Sequence, residues 1–171
     1  MSEYTEVEQP FLHQLQALGW HIIDQGPDIP ADPAKSLRQG FRQWILPELF
    51  AQSVSAINST AGGKPWLTPR QLQDLQDQIL RQPNRTLLEA TEAVQRLLLK
   101  AQVDVNEVTD EQDPVVRLID FANPANNHFL AINQFRIDTP GCAKQFIVLD
   151  IVLFVNGIPL IVVECKKGGP T

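Results

Sequence analysis

Residues 146–167 read FIVLDIVLFVNGIPLIVVECKK, and their interpretation decides the fold. Two apolar, β-branched runs flank Asn156-Gly157, a pair that favours the tight turn of a β-hairpin because both residues tolerate positive φ. Ionisable residues are sparse: Asp150 lies in the first run, and Glu164, Lys166 and Lys167 close the second. Glu164 and Lys166 are two positions apart, so an extended strand puts them on one face and turns Cys165 to the other, apolar one. Lys167 shares the face of Cys165 and reads as an ordinary surface lysine.

Where Asp150 points depends on the loop. A two-residue turn sets Val155 against Ile158 and leaves Glu164 on the face opposite Asp150, because a one-residue change of register flips every side chain. A three-residue loop, Asn156-Gly157-Ile158, sets Val155 against Pro159 and brings Asp150 level with Glu164, Cβ to Cβ roughly 5 Å. Two carboxylates that close repel unless a proton or cation sits between them. We expect this register, or an equivalent bulge, because it makes a divalent-cation site with an ammonium group beside it. The plain alternative is a core hairpin with a Glu-Lys pair at its frayed end, since charged residues are common at strand ends. Against it stands the cost of placing acids among long apolar runs without a partner.

Asp150, then Glu164-x-Lys166 after NGIPLIVV, resembles the nuclease motif of the restriction (motor) subunit of type I restriction-modification enzymes, a variant of the PD-(D/E)xK signature. The likeness continues upstream through Arg117-Leu-Ile-Asp120-Phe121, Asn126-Asn127-His-Phe129 and Asn133-Gln134-Phe135, and reaches the amino-terminal helix. Leu149 stands where the family usually has Pro before the Asp, and Cys165 where it generally has an aliphatic residue. Neither change removes a ligand.

The resemblance implies a Mg²⁺-dependent endodeoxyribonuclease, a type I site-specific deoxyribonuclease, with a restriction-endonuclease-like core. Asp150 and Glu164 become metal ligands, the Cys165 backbone carbonyl a third, and Lys166 the group that orients the attacking water. Related nucleases also carry a glutamate on the first helix; that points to Glu8 rather than Glu6, with a capping role as the equal alternative. The implied partners are double-stranded DNA and the modification and specificity subunits. ATP-driven translocation falls to motor domains, since no phosphate-cradling G-x-x-x-x-G-K-[ST] occurs here. The family's helix and strand beyond the Glu-x-Lys strand do not follow, so we expect an amino-terminal fragment with an open last strand and little activity of its own. A non-catalytic assembly module of the same fold and a stand-alone repair or recombination nuclease are the competing readings.

Composition sets bounds. The chain has 171 residues, 43% of them hydrophobic and 20% charged, as a globular domain requires. No apolar run is long enough to span a bilayer and no secretion signal opens the chain. Two cysteines without a framework pattern, Cys142 and Cys165, suit a reducing, cytoplasmic setting. A net charge of −6 argues against a domain that holds DNA tightly by itself, because such affinity comes largely from cations on phosphates.

The order of elements predicts a mixed α/β fold: a helical part over about 5–102, an acidic linker from Asp104 to Pro114, and a strand-rich, largely antiparallel catalytic part over about 114–167. Thr5-x-x-Glu8 reads as a capping box, although Pro10 offers a rival start; Phe11, Leu12, Leu15 and Leu18 form the stripe that Gly19 ends. Trp20 to Asp24 reads as a short strand and Gln25 to Lys35 as a loop. Ser36 to Asn58 reads as helical with a break near Pro47, Trp44 facing inward. Thr68-Pro69 opens a helix to about Gln82, and Thr86 another to Gln102 with Leu88, Val94, Leu97 and Leu98 inward. Arg85, Arg96 and Lys100 belong to a solvated face. Four strands follow: Val115 to Phe121, Phe129 to Ile137, Phe146 to Val155 and Leu160 to Lys166. Asp120 reads as structural. His13, His21 and His128 lack metal-ligand spacing.

Overall fold

The computed structural model describes residues 2–81 and 86–166. In chain order, a π-helical turn (Tyr4–Glu8) runs into α1 (Gln9–Ala17), followed by β1 (His21–Ile23), a 3₁₀ turn (Pro33–Ser36), α2 (Pro47–Ile57), α3 (Pro69–Leu80) and α4 (Leu87–Lys100). Four two-residue strands come next: β2 (Ala101–Gln102), β3 (Val105–Asn106), β4 (Glu111–Gln112) and β5 (Val115–Val116). The 3₁₀ turn Pro124–Asn126 then leads to β6 (Phe129–Asp138), β7 (Phe146–Val155) and β8 (Ile158–Val163). The fold is mixed α/β, as expected. Gln82, where the helix opened by Thr68-Pro69 is expected to end, falls outside the described residues, as do Arg85 and Lys167.

Two compact units alternate along the chain: Met1–Leu46 joins His128–Thr171, and Pro47–Asn127 forms the other. The first unit is built on a sheet of order β1-β6-β7-β8, with β1 parallel to β6 and the other pairs antiparallel. Leu12 and Leu15 of α1 cover one face of it, packing on Ala131, Ile151, Leu153 and Cys165. Leu18 departs from the expected stripe: the helix has ended, and Leu18 is 77% exposed. The capping box at Thr5 does not form; its hydroxyl donates to the Ser2 carbonyl at 3.0 Å, and helical backbone already runs from Tyr4. Pro10 falls at the junction of the π-helical turn and α1, with helical backbone on both sides of it.

The β7–β8 turn has two residues, not three. Asn156 (φ 52°) and Gly157 (φ 77°) both take the left-handed conformation of a type I′ turn, and Val155 pairs with Ile158. Asn156 explains the choice: it is fully buried, its N–H donates to the His128 carbonyl at 2.9 Å, and its Oδ1 accepts the His128 N–H at 2.8 Å. The register then shifts. Phe154 pairs with Pro159 but Leu153 with Ile161, so Leu160 is the extra residue of a bulge. The bulge has the effect expected of the longer loop, and Ile151 pairs with Val163.

Residues 37–46, expected to be helical, are irregular. Arg38 is the reason: it is 3% exposed, lies 3.7 Å over the Phe135 ring, and donates to the Gln43 and Arg136 carbonyls. A chain tied that way cannot wind into a helix, which begins only at Pro47. Trp44, read as inward-facing, is 49% exposed.

In the Pro47–Asn127 unit, Thr68 and Thr86 each close a capping box, with Gln71 and Glu89. Leu88 is 69% exposed rather than inward. The expected linker folds into the β3–β4 hairpin, flanked by the β2–β5 pair. The strand expected over Val115 to Phe121 shortens to Val115–Val116, because side chains take over the backbone groups that follow. The buried Asn58 accepts the Arg117 N–H at 2.9 Å and donates to its carbonyl at 2.7 Å.

Candidate functional site

Asp150 sits within β7 at the edge where β8 ends. The Ile151–Val163 pair sets Asp150 level with Glu164, although ladder pairing stops at Val163. In its place the Asp150 Oδ2 accepts the Cys165 backbone N–H at 2.6 Å. The Cys165 side chain faces away into the apolar cluster under α1 and is 4% exposed. Alternation along the strand thus separates a backbone used by the acid from a side chain used by the core.

A second acid reaches this neighbourhood from the start of the chain. Glu8, at the end of the π-helical turn, is 4% exposed, and its two carboxylate oxygens accept from the Gln134 Nε2 at 3.2 and 3.0 Å. Gln134 lies in β6 between the pairs Asn133–Ile151 and Phe135–Leu149, which makes it the residue level with Asp150. Burial raises the Glu8 carboxyl above the ordinary range; the Gln134 amide works against that rise and the Asp150 charge adds to it. Burial likewise raises the Cys165 thiol, with the charges of Asp150 and Glu8 contributing next. Glu8 and Asp150 are therefore within electrostatic reach of each other, and the Gln134 amide and Cys165 N–H that bond to them carry no positive charge.

Glu164 and Lys166 lie just past β8. Their side chains are 55% and 77% exposed and form an ion pair at 3.8 Å, an arrangement of small energetic consequence by itself. Among the described residues no three or more His, Cys, Asp or Glu side chains are grouped to hold a metal. Mg²⁺ characteristically takes a sparser set, a few hard oxygen donors with several retained waters.

The remaining ionisable candidates have other employment. Asp120, in the Pro47–Asn127 unit, is buried and accepts from the Asn123 N–H at 3.0 Å and the Asn126 Nδ2 at 2.8 Å, with Arg117 at 3.7 Å. These bonds, the Asn126 one foremost, lower its carboxyl and make it a loop anchor. His21 and His128 stack with centroids 4.6 Å apart. Gln134 is singled out in the sequence only as part of the Asn133-Gln134-Phe135 likeness, with no role attached; its contact with Glu8 emerges once β6 lies between the amino-terminal turn and β7.

A family model described as the type I restriction enzyme R protein N terminus matches residues 1–171. The chain belongs to that family. The chain is 28% identical over 172 residues to the type I restriction enzyme HindI endonuclease subunit of Haemophilus influenzae, a match covering 98% of this chain and 15% of that protein. It is 26% identical over 168 residues to a putative type I restriction enzyme MjaIXP endonuclease subunit of Methanocaldococcus jannaschii, with the same coverage, 98% and 15%. The chain thus spans about 15% of the length of these relatives. No helix among the described residues is long and apolar enough to cross a membrane.

Proposed function

We propose that this chain is the Mg²⁺-dependent, PD-(D/E)xK-type DNA-cleaving domain of a type I restriction enzyme. Asp150 and Glu164 would hold the metal, with the Cys165 carbonyl and Glu8 completing the protein's share. The observation that carries this reading is the bulge at Leu160, which returns Asp150 and Glu164 to one register after a turn that would have separated them. The donor types agree: Glu8 and Asp150 carry hard carboxylate oxygens, and the Asp150 charge acts on the buried Glu8.

The metal, when bound, neutralises phosphate charge and lowers the pKa of a coordinated water. The chain's own groups do the positioning. Cys165 N–H keeps the Asp150 carboxylate aimed, and Glu164 holds the Lys166 ammonium 3.8 Å away, where it can orient the attacking water and oppose charge developing on the phosphate. With a net charge of −6, this domain depends on other parts of the complex to hold double-stranded DNA. An ATP-driven motor and the modification and specificity subunits, acting together in the cytoplasm, fill that role in this reading.

The test is substitution in the full-length subunit. Asp150→Ala, Glu164→Ala and Lys166→Ala each abolish DNA cleavage and leave ATP hydrolysis intact. Glu8→Ala impairs cleavage where Glu6→Ala does not. Retained cleavage in any of the first three removes that residue from the site.

A further inference from the structure

We infer that Gln134 is a positioning residue of the cation site, holding the Glu8 carboxylate in place from a strand kept in a strained conformation for that purpose. The inference rests on the metal-site reading above and deepens it. Gln134 has φ 47°, a left-handed conformation in the middle of β6, and it is the residue level with Asp150. Glutamine gains nothing locally from that conformation, unlike glycine or asparagine. The distortion does not correct the strand register either, because Asn133–Ile151 and Phe135–Leu149 keep the same offset on both sides of it. What the kink does accomplish is the contact of Nε2 with both oxygens of Glu8, at 3.2 and 3.0 Å.

The surroundings hold the kink. Gln25 donates from its backbone N–H to Asn133 Oδ1 at 2.6 Å, and its Nε2 reaches the carbonyls of Asn133 and Gln134 at 2.8 and 3.2 Å. Asn133 is fully buried and donates in turn to the Gly26 carbonyl at 3.2 Å. Strain held by over-determined contacts beside an acid pair is characteristic of functional sites. The chemistry of the donor also fits. An amide aims a carboxylate without bringing a positive charge of its own; a lysine or arginine at the same place would compete with a cation for it.

The position separates a site role from a packing role, because the substitution that relieves strain also deletes the amide. Gln134→Gly accepts positive φ freely, so the chain keeps or raises its melting temperature, while Mn²⁺ binding, followed calorimetrically as a stand-in for Mg²⁺, weakens about tenfold or more, the low end of the range for losing an outer-shell partner. In a Glu8→Ala background the same substitution changes Mn²⁺ affinity by less than about twofold, since coupled groups are not additive. Wild-type affinity in Gln134→Gly overturns the inference. So does an equal loss in both backgrounds accompanied by a lower melting temperature, which would make Gln134 a packing pin. Asp150→Ala is the control: if it binds Mn²⁺ like the wild type, the metal-site reading fails and this inference with it; if it does not bind while Gln134→Gly does, only the role of Gln134 falls.

Discussion

The backbone N–H of Cys165 donates to the side chain of Asp150 across 2.6 Å, joining β7 to the segment beyond β8 at the point where the backbone ladder ends. One oxygen of the acid is therefore committed to holding the segment that carries Glu164 and Lys166. Asp150→Asn preserves an acceptor of the same shape and removes the charge. We expect it to keep the fold, with a loss of about 1 kcal/mol or less, yet to abolish cleavage. Asp150→Leu removes the acceptor as well and costs about 1–3 kcal/mol, the range for orphaning a buried donor. Urea denaturation of the two variants, set beside a plasmid cleavage assay of the full-length subunit, checks both halves.

Asn156 does two things in the hairpin. It takes positive φ at 52° and accepts the His128 N–H at 2.8 Å from a fully buried position. Asn156→Ala loses both, and we expect a cost of about 2–5 kcal/mol, the sum of left-handed strain and an unsatisfied donor. Asn156→Gly keeps the conformation and loses only the bond, so it should cost less. The ordering Ala worse than Gly, read from denaturation midpoints, tests the assignment; the reverse ordering would make the turn conformation irrelevant.

His128 supplies a pH signature. Its imidazole titrates below the ordinary range, because of burial first and the stacked His21 second. A histidine with a lowered folded pKa binds its proton less readily folded than unfolded. Its contribution is thus complete above the ordinary imidazole value and is lost as pH falls from there through the lower folded one. Stability should decline as pH is brought from about 7 to about 5. His128→Gln should flatten that part of the profile, measured by thermal unfolding at stepped pH. An unchanged slope would assign the decline to carboxylates instead.

Much of this was legible along the chain. Asn-Gly between two β-branched runs foretold the hairpin because a type I′ turn needs two residues that tolerate positive φ, and only neighbours a few positions apart are involved. Thr68 and Thr86 announced their helices for the same reason: a cap is a bond to the next turn. Asp150, Glu164 and Lys166 stood out because charge inside apolar runs is expensive wherever those runs go.

Tertiary structure decided the rest. Whether Leu160 bulges, whether Asn58 takes the backbone groups of Arg117 away from a strand, and whether residues 37–46 wind around Arg38 or into a helix all depend on partners distant in sequence. The bond from Gln134 to Glu8 spans 126 positions, and that from Gln25 to Asn133 spans 108. No local preference encodes such contacts; several of them run against it, as the left-handed Gln134 does. Propensity acts between neighbours and names the elements and the acids, whereas burial and register are properties of the assembled sheet, and they alone bring Glu8 from the first turn of the chain to the edge where Asp150 waits.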